Sequence, residues 1–217
     1  MNIKTEIEIV TGFLGSGKTT FINALLKNTL SAKETVLIIQ QEQGETEIRS
    51  IQTEKTKLVI KQLELSKELK PSYLKQLTDF YTPHRVIIEH NGTRPLDKTL
   101  SIFDDKSIGV FFREPIIYYM IEAAVFEMFY ANMKELIEPY IISSNLIMLN
   151  NCSNLSKEEK KTALKRIGYL NATAIILSNE SIEEVEEVLK KSESLENGMA
   201  KKLLIKLKNR QVKKLKS

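Results

Sequence analysis

Short apolar runs recur along this chain, and amphipathic stretches with helical spacing lie between them. Ile7, Ile9 and Val10 read as a short strand that ends at Thr11. Phe21, Ile22, Leu25 and Leu26 follow with the three- and four-residue spacing of one helix face. Residues 35–40 (TVLIIQ) and 85–89 (RVIIE) are nearly continuous apolar runs, as strands buried on both faces require. Residues 57–61 make another short strand. Pro71 opens a helix through about Tyr81, because proline suits a first helical turn, and Pro83 stops it. Residues 109–112 and 116–121 are β-rich. Residues 125–137 have helical spacing that ends near Pro139, and 146–149 is a strand. Ser156 caps a helix to Gly168, with Glu159 three residues on to complete a capping box. A strand at 173–177 and a helix at 181–191 complete the pattern. Strands alternating with helices imply an α/β fold, a mainly parallel sheet flanked by helices on both faces.

Glycine sharpens this picture. The chain has 8 glycines, and Gly12, Gly15 and Gly17 fall within six residues, between the first strand and the first helix. Gly12-Phe13-Leu14-Gly15-Ser16-Gly17-Lys18-Thr19 matches GxxxxGK[ST]. Glycines let the backbone turn its N–H groups toward one point, and the helix N-terminus adds further donors and partial positive charge. Lys18 can reach β- and γ-phosphates, the Thr19 hydroxyl can bind Mg²⁺, and Thr20 is placed to touch the α-phosphate. Binding of a nucleoside triphosphate follows; a hydrolysis rate does not.

Ligands of a parallel sheet sit beyond the carboxyl ends of its strands. Two acids occur there: Glu42 after the 35–40 run, and Glu89 at the end of RVIIE. Either can order Mg²⁺-bound water or the attacking water, and Gly44 and Gly92 are placed to meet the γ-phosphate through their backbone.

With these pieces in order, the chain resembles the CobW/HypB/UreG family of P-loop GTPases. TGFLGSGKTTFINALL is similar to that family's TGFLGAGKTTLLNxLL. Residues 41–45 resemble its NExGE segment, with Glu42, Gly44 and Glu45 retained, and RVIIEHNG resembles its strand ending in E-T/S-x-G. YMIEAAVF at 119–126 resembles VVDAxxF, with Glu122 for Asp. LIMLNNCSNL at 146–155 resembles IVLNKxDL, which makes Asn150 a nucleotide contact, and LNATAI at 170–175 resembles LNPxAxI. The resemblance covers about residues 5–180. It implies a P-loop NTPase fold and a Mg²⁺-dependent hydrolase of GTP, often a nucleotide-dependent homodimer, that serves a metalloprotein or cofactor-assembly partner. The alternative is a nucleotide-gated binding module with little or no hydrolysis.

Three departures qualify these expectations. Asn150-Asn151-Cys152-Ser153 stands where the family has NKxD; Ser153 supplies no charged bidentate acceptor and Asn151 lacks a long apolar stem, so ATP is as open as GTP. The family's CxCC has no counterpart around 59–69, a stretch without cysteine or histidine. The C-terminal domain common in CobW-like members is expected to be missing or reduced to a short tail.

Composition sets the frame. The chain has 217 residues, 42% of them apolar, enough for a sizeable core. One cysteine, Cys152, excludes an intramolecular disulfide framework. Neither a spanning apolar run nor a signal-peptide core is present, so a cytoplasmic protein without an integral membrane segment is expected. The formal charge of +4 conceals an asymmetry: residues 199–217 carry seven lysines and Arg210 without an acid, +8 in all, which leaves −4 on residues 1–198. We therefore divide the chain into a nucleotide-binding domain, 1–192, and a basic extension, 193–217. The extension lacks stacking aromatics, which argues against nucleic acid. His90 stands beside Glu89 and could face a γ-phosphate or pack internally, His84 suits a surface loop, Cys152 suits burial, and Arg94 and Arg113 suit surface ion pairs or an arginine finger.

Overall fold

The computed structural model describes residues 4–42, 46–49, 56–64 and 67–191. Seven strands form one parallel sheet: β1 (Glu6–Thr11), β2 (Thr35–Gln40), β3 (Lys57–Gln62), β4 (Arg85–Glu89), β5 (Ile116–Glu122), β6 (Leu146–Asn150) and β7 (Ile175–Ser178). Their order is β3-β2-β4-β1-β5-β6-β7. The chain thus starts in the middle of the sheet, with β4 on one side of β1 and β5 on the other. This is the switch point at which open α/β sheets bind their ligands.

Strand periodicity sorts the core into two layers. Ile7 and Ile9 of β1, Val86 and Ile88 of β4, and Ile147 and Leu149 of β6 face one cluster. It is covered by α2 (Pro71–Tyr81), α3 (Leu96–Asp104), α5 (Ala123–Asn132), α6 (Lys134–Ser143) and α7 (Lys157–Leu170). Val10, Ile87 and Met148 face the other layer, under α1 (Lys18–Thr29) and α8 (Val185–Lys191). The continuous apolar runs read as doubly buried strands are therefore covered on both sides.

One buried feature is hidden inside β1. Glu8 accepts from the Tyr118 hydroxyl at 3.0 Å and faces the Arg85 guanidinium at 3.5 Å. Burial pushes the Glu8 carboxyl up, and the neighbouring Arg85 only partly offsets this. A buried pair of this kind gives register more readily than net stability.

Several boundaries depart from the sequence pattern. Residues 109–112 are not a strand: Gly109 ends the short helix α4 (Lys106–Gly109), and Phe112 makes a single bridge with Thr5. The helix expected at 125–137 is two helices broken at Met133, and the second runs through Pro139 instead of ending before it. Pro139 and Glu135, whose carbonyl loses its helical donor to the proline, both lie on the exposed side, where that carbonyl is not sealed from solvent. Helix α3 was not expected, although Leu96, Thr99 and Ile102 bury one face of it. β7 starts at Ile175 rather than 173, because the Asn171 side chain draws the backbone N–H groups of Thr173 and Ala174 into a turn. α7 begins on the capping box of Ser156 and Glu159, as the sequence implies. The 193–217 extension, Gly44 and Glu45 lie outside the described residues.

Asn171 also donates to the carbonyls of Ile141 and Ser144 at 2.7 and 2.9 Å, tying the end of α6 to the start of β7. Asn171→Ala should leave buried backbone groups without partners and cost at least about 2 kcal/mol, measured as a shift in the urea midpoint at constant m-value.

Candidate functional site

The loop between β1 and α1 begins where the central strand ends, so its backbone opens onto the carboxyl edge of the sheet. Gly17 is the N-cap of α1 with φ 92°, a left-handed conformation that favours glycine. The helix starts without a side-chain cap and without an acid in its first turn. Its first N–H groups therefore point unclaimed by side chains into the loop, the arrangement that suits an anion. Gly12 (φ 145°) and Gly15 (φ 79°) turn the rest of the loop. Ser16 is buried, with its hydroxyl lacking a protein partner. Thr20 lies half-buried in the first turn of α1.

Lys18 is buried at the mouth of this loop. Its ammonium donates to the carbonyls of Gly12 and Phe13, both at 2.8 Å, and forms an ion pair with Glu42. The expected acid is thus present, but it rests on the lysine rather than on Thr19. Gln62 holds its backbone by donating to the Glu42 carbonyl at 3.2 Å.

Thr19 donates to Glu89 at 2.5 Å, and Gln40 donates to the other Glu89 oxygen at 2.6 Å. The parallel register of β2 and β4 sets Gln40 beside Glu89. Burial pushes the Glu89 carboxyl above its ordinary range, and the donors from Thr19 and Gln40 and the charge of Lys18 oppose that shift. The hydroxyl expected to hold a cation and the acid expected to order its water are therefore already in contact.

Gly92 presses on the loop from the β4 side: a Cβ there would overlap the Gly12 carbonyl. The Tyr140 hydroxyl fixes this turn by donating to the carbonyls of Gly92, at 3.2 Å, and Arg94. His90, fully buried, is hydrogen-bonded through Nδ1 to the Thr11 hydroxyl at 2.9 Å, while Nε2 has no protein partner. On the opposite side of β1, Asn150 donates to the Ser16 carbonyl at 2.7 Å and accepts from Asn179 at 2.5 Å. The structure thus gathers Gly12, Gly15, Ser16, Gly17, Lys18, Thr19, Glu42, Glu89, Gly92 and Asn150 around one loop.

Residues 6–178 match the family model of the CobW/HypB/UreG nucleotide-binding domain. The chain belongs to this family. Its CobW/HypB/UreG fold extends to solved structures. The Zn(II)-bound YjiA GTPase of E. coli is 18% identical with a TM-score of 0.57, over 81% of this chain and 57% of that one. The hydrogenase maturation factor HypB from Archaeoglobus fulgidus is 16% identical with a TM-score of 0.54, over 87% and 90% of the two chains. HypB from Helicobacter pylori in complex with nickel is 12% identical with a TM-score of 0.52, over 90% and 89%. The chain thus spans little more than half of YjiA. No curated relative matches the sequence.

Two of the remaining candidates, His84 and Arg113, lie apart from this CobW/HypB/UreG site. His84 is exposed at the opposite edge of the sheet, where it accepts from the Thr35 N–H. Arg113 pairs with Glu6 at that same edge, remote from the phosphate loop. Arg94 lies near Gly92 and donates to the Lys67 carbonyl. Cys152 is buried, and burial pushes its thiol up, away from the reactive range. No group of three or more His, Cys, Asp or Glu residues able to hold a metal ion occurs among the described residues. No helix among them is long and apolar enough to cross a membrane. The residues the sequence did not point to are Gln40, Thr11, Tyr140 and Asn179. Of these, Gln40 and Asn179 carried one signal, a polar side chain at or just past the carboxyl end of a strand.

Burial lowers the His90 imidazole from 6.5 to about 4, with the charges of Lys18 and Arg94 adding to the shift. The folded chain then binds fewer protons there than the unfolded chain between these two values, so stability falls as pH drops through that window. His90→Gln should flatten this dependence, measured as the difference between urea midpoints at about pH 7 and about pH 5.

Proposed function

We propose that the protein binds a nucleoside triphosphate with Mg²⁺ and hydrolyses its β–γ phosphoanhydride. The observation that carries this reading is the buried Lys18 at the uncapped start of α1, beside a Thr19 hydroxyl held by Glu89. The donor set suits a hard cation: a hydroxyl and carboxylates, all oxygen. A cation beside Glu89 also removes the cost of keeping that buried carboxylate charged. Thr19 would hold the metal directly, and Glu89 and Glu42 would hold it partly through water. When bound, Mg²⁺ neutralises charge on the β- and γ-phosphoryl oxygens.

Each remaining residue then has a task. The N–H groups of Gly15, Ser16, Gly17 and Lys18 line the phosphates, and Lys18 exchanges protein acceptors for phosphate oxygens. Thr20 meets the α-phosphate. Glu42 or Glu89 orients the attacking water. Gly92 would report the γ-phosphate through its backbone, a role the sequence also assigns to Gly44. Asn150 braces the loop by holding the Ser16 carbonyl. The cycle would gate a metalloprotein or cofactor-assembly partner, with pairing of two copies in the nucleotide-bound form. The metals named for YjiA and for Helicobacter pylori HypB support a metal-related role for the partner.

A second reading, a nucleotide-gated module with little turnover, is favoured by the Lys18–Glu42 ion pair, which commits one candidate water-orienting acid to the lysine. Single-turnover hydrolysis of GTP and ATP, with Lys18→Ala as reference, separates the two. The hydrolase reading expects the variant to be slower by about 100-fold or more. Nucleotide bound in the presence of Mg²⁺ but hydrolysed no faster than by the variant leaves only the gated module.

A further inference from the structure

The sheet order fixes which side of the phosphate loop the nucleoside must leave from. Glu89 and Gly92 lie on the β4 side of β1 and mark the γ-phosphate end. The nucleoside therefore extends the other way, toward the loops that follow β6 and β7, which Asn150 ties to Ser16. To tell guanine from adenine there, a site needs a fixed acceptor pair for the two donors on guanine's pairing edge, and a carboxylate is the usual one.

Among the described residues there, each carboxylate already has one of its oxygens engaged by the protein. Asn150 spends its amide on Ser16 and its oxygen on Asn179. Asn151, in a left-handed conformation, donates to Glu122 at 2.6 Å and accepts from the Ile182 N–H at 2.9 Å. Glu180 is engaged by Lys160 at 2.6 Å, Glu184 accepts from the Glu180 N–H at 3.1 Å, and Glu183 accepts from the Ser181 hydroxyl. Ser153 offers only an exposed neutral hydroxyl. The Ile182 methyl, in turn, lies against Gly17, where a Cβ would overlap it. Two departures from the family pattern, Glu122 and Asn151, thus meet in one hydrogen bond, so that Glu122 does not present both oxygens to a base edge.

We infer that the base end of this site reads no base edge, and that the protein takes nucleoside triphosphates by their phosphates and by apolar contact with the Ile182 turn. ATP and GTP are then equivalent ligands. This inference rests on the triphosphate reading above.

The test is calorimetric titration of the full chain with GTP, ATP and inorganic triphosphate, each with Mg²⁺. Dissociation constants for GTP and ATP within about tenfold of each other are expected, with inorganic triphosphate competing against both. Ser153→Asp, at an exposed position, should move the ratio toward GTP by about tenfold or more by adding the missing acceptor pair. A wild-type preference beyond that factor overturns the inference while leaving the triphosphate reading intact. So does a Ser153→Asp ratio equal to that of wild type. Failure of all three ligands to bind overturns the triphosphate reading itself, and this inference with it.

Discussion

A buried ammonium must be surrounded by acceptors, because an ion taken out of water without them costs far more than a fold can spare. Lys18 is such a group, and most of the site follows from how its acceptors are found. Two are backbone carbonyls of its own loop, which curl the loop around the side chain. The third is Glu42, which lies just past the end of β2 and reaches the lysine from there. Triphosphate oxygens offer the same ammonium better acceptors than a single carboxylate. On the proposed function, ligand binding would therefore free Glu42 from the lysine.

Glu89 is the counterpart problem, a carboxylate buried without a cation of its own. It is held by two neutral donors, Thr19 and Gln40, and burial raises its pKa in spite of them. On the proposed function, an acid kept at that cost is the one that would face the divalent ion. The stability forgone in burying this carboxyl would then return as affinity for Mg²⁺. The parallel register of β2 against β4 makes this possible, since it sets Gln40 and Glu89 side by side at the strand ends.

How much of this was legible in the sequence depended on which physical signal each part carried. The phosphate loop was legible because glycine spacing, a lysine and a hydroxyl residue are required together by the backbone geometry. Strands β2, β4 and β6 were legible because burial on both faces leaves an uninterrupted apolar run. Helix α3 was not, because its short buried face of Leu96, Thr99 and Ile102 includes a threonine. Pro139 misled for a different reason: whether a helix tolerates proline depends in part on whether the orphaned carbonyl reaches solvent, and exposure is a tertiary property. Glu42 was visible as a candidate acid, but its pairing with Lys18 depends on where the strand end falls in space. Asn179 and Tyr140 brace the loop from distant parts of the chain, and a side chain whose role is to accept or donate across a fold has no local motif.

The two halves of the site are built from different materials. The phosphate half depends on main-chain N–H groups, on φ values that glycine tolerates and on a helix N-terminus, so few side chains need to be specified. The base half depends on side chains after β6 and β7, where Asn150, Asn151 and Asn179 bond one another and their surroundings. A backbone device survives wide change in the residues around it; a side-chain device does not survive the loss of one carboxylate. This difference explains how the chain can match a family model from residue 6 to 178 while its 150–153 segment departs from that family's base-reading pattern. It also explains why the amides there were not left idle. They bond the protein, and Asn150 braces the phosphate loop through the Ser16 carbonyl.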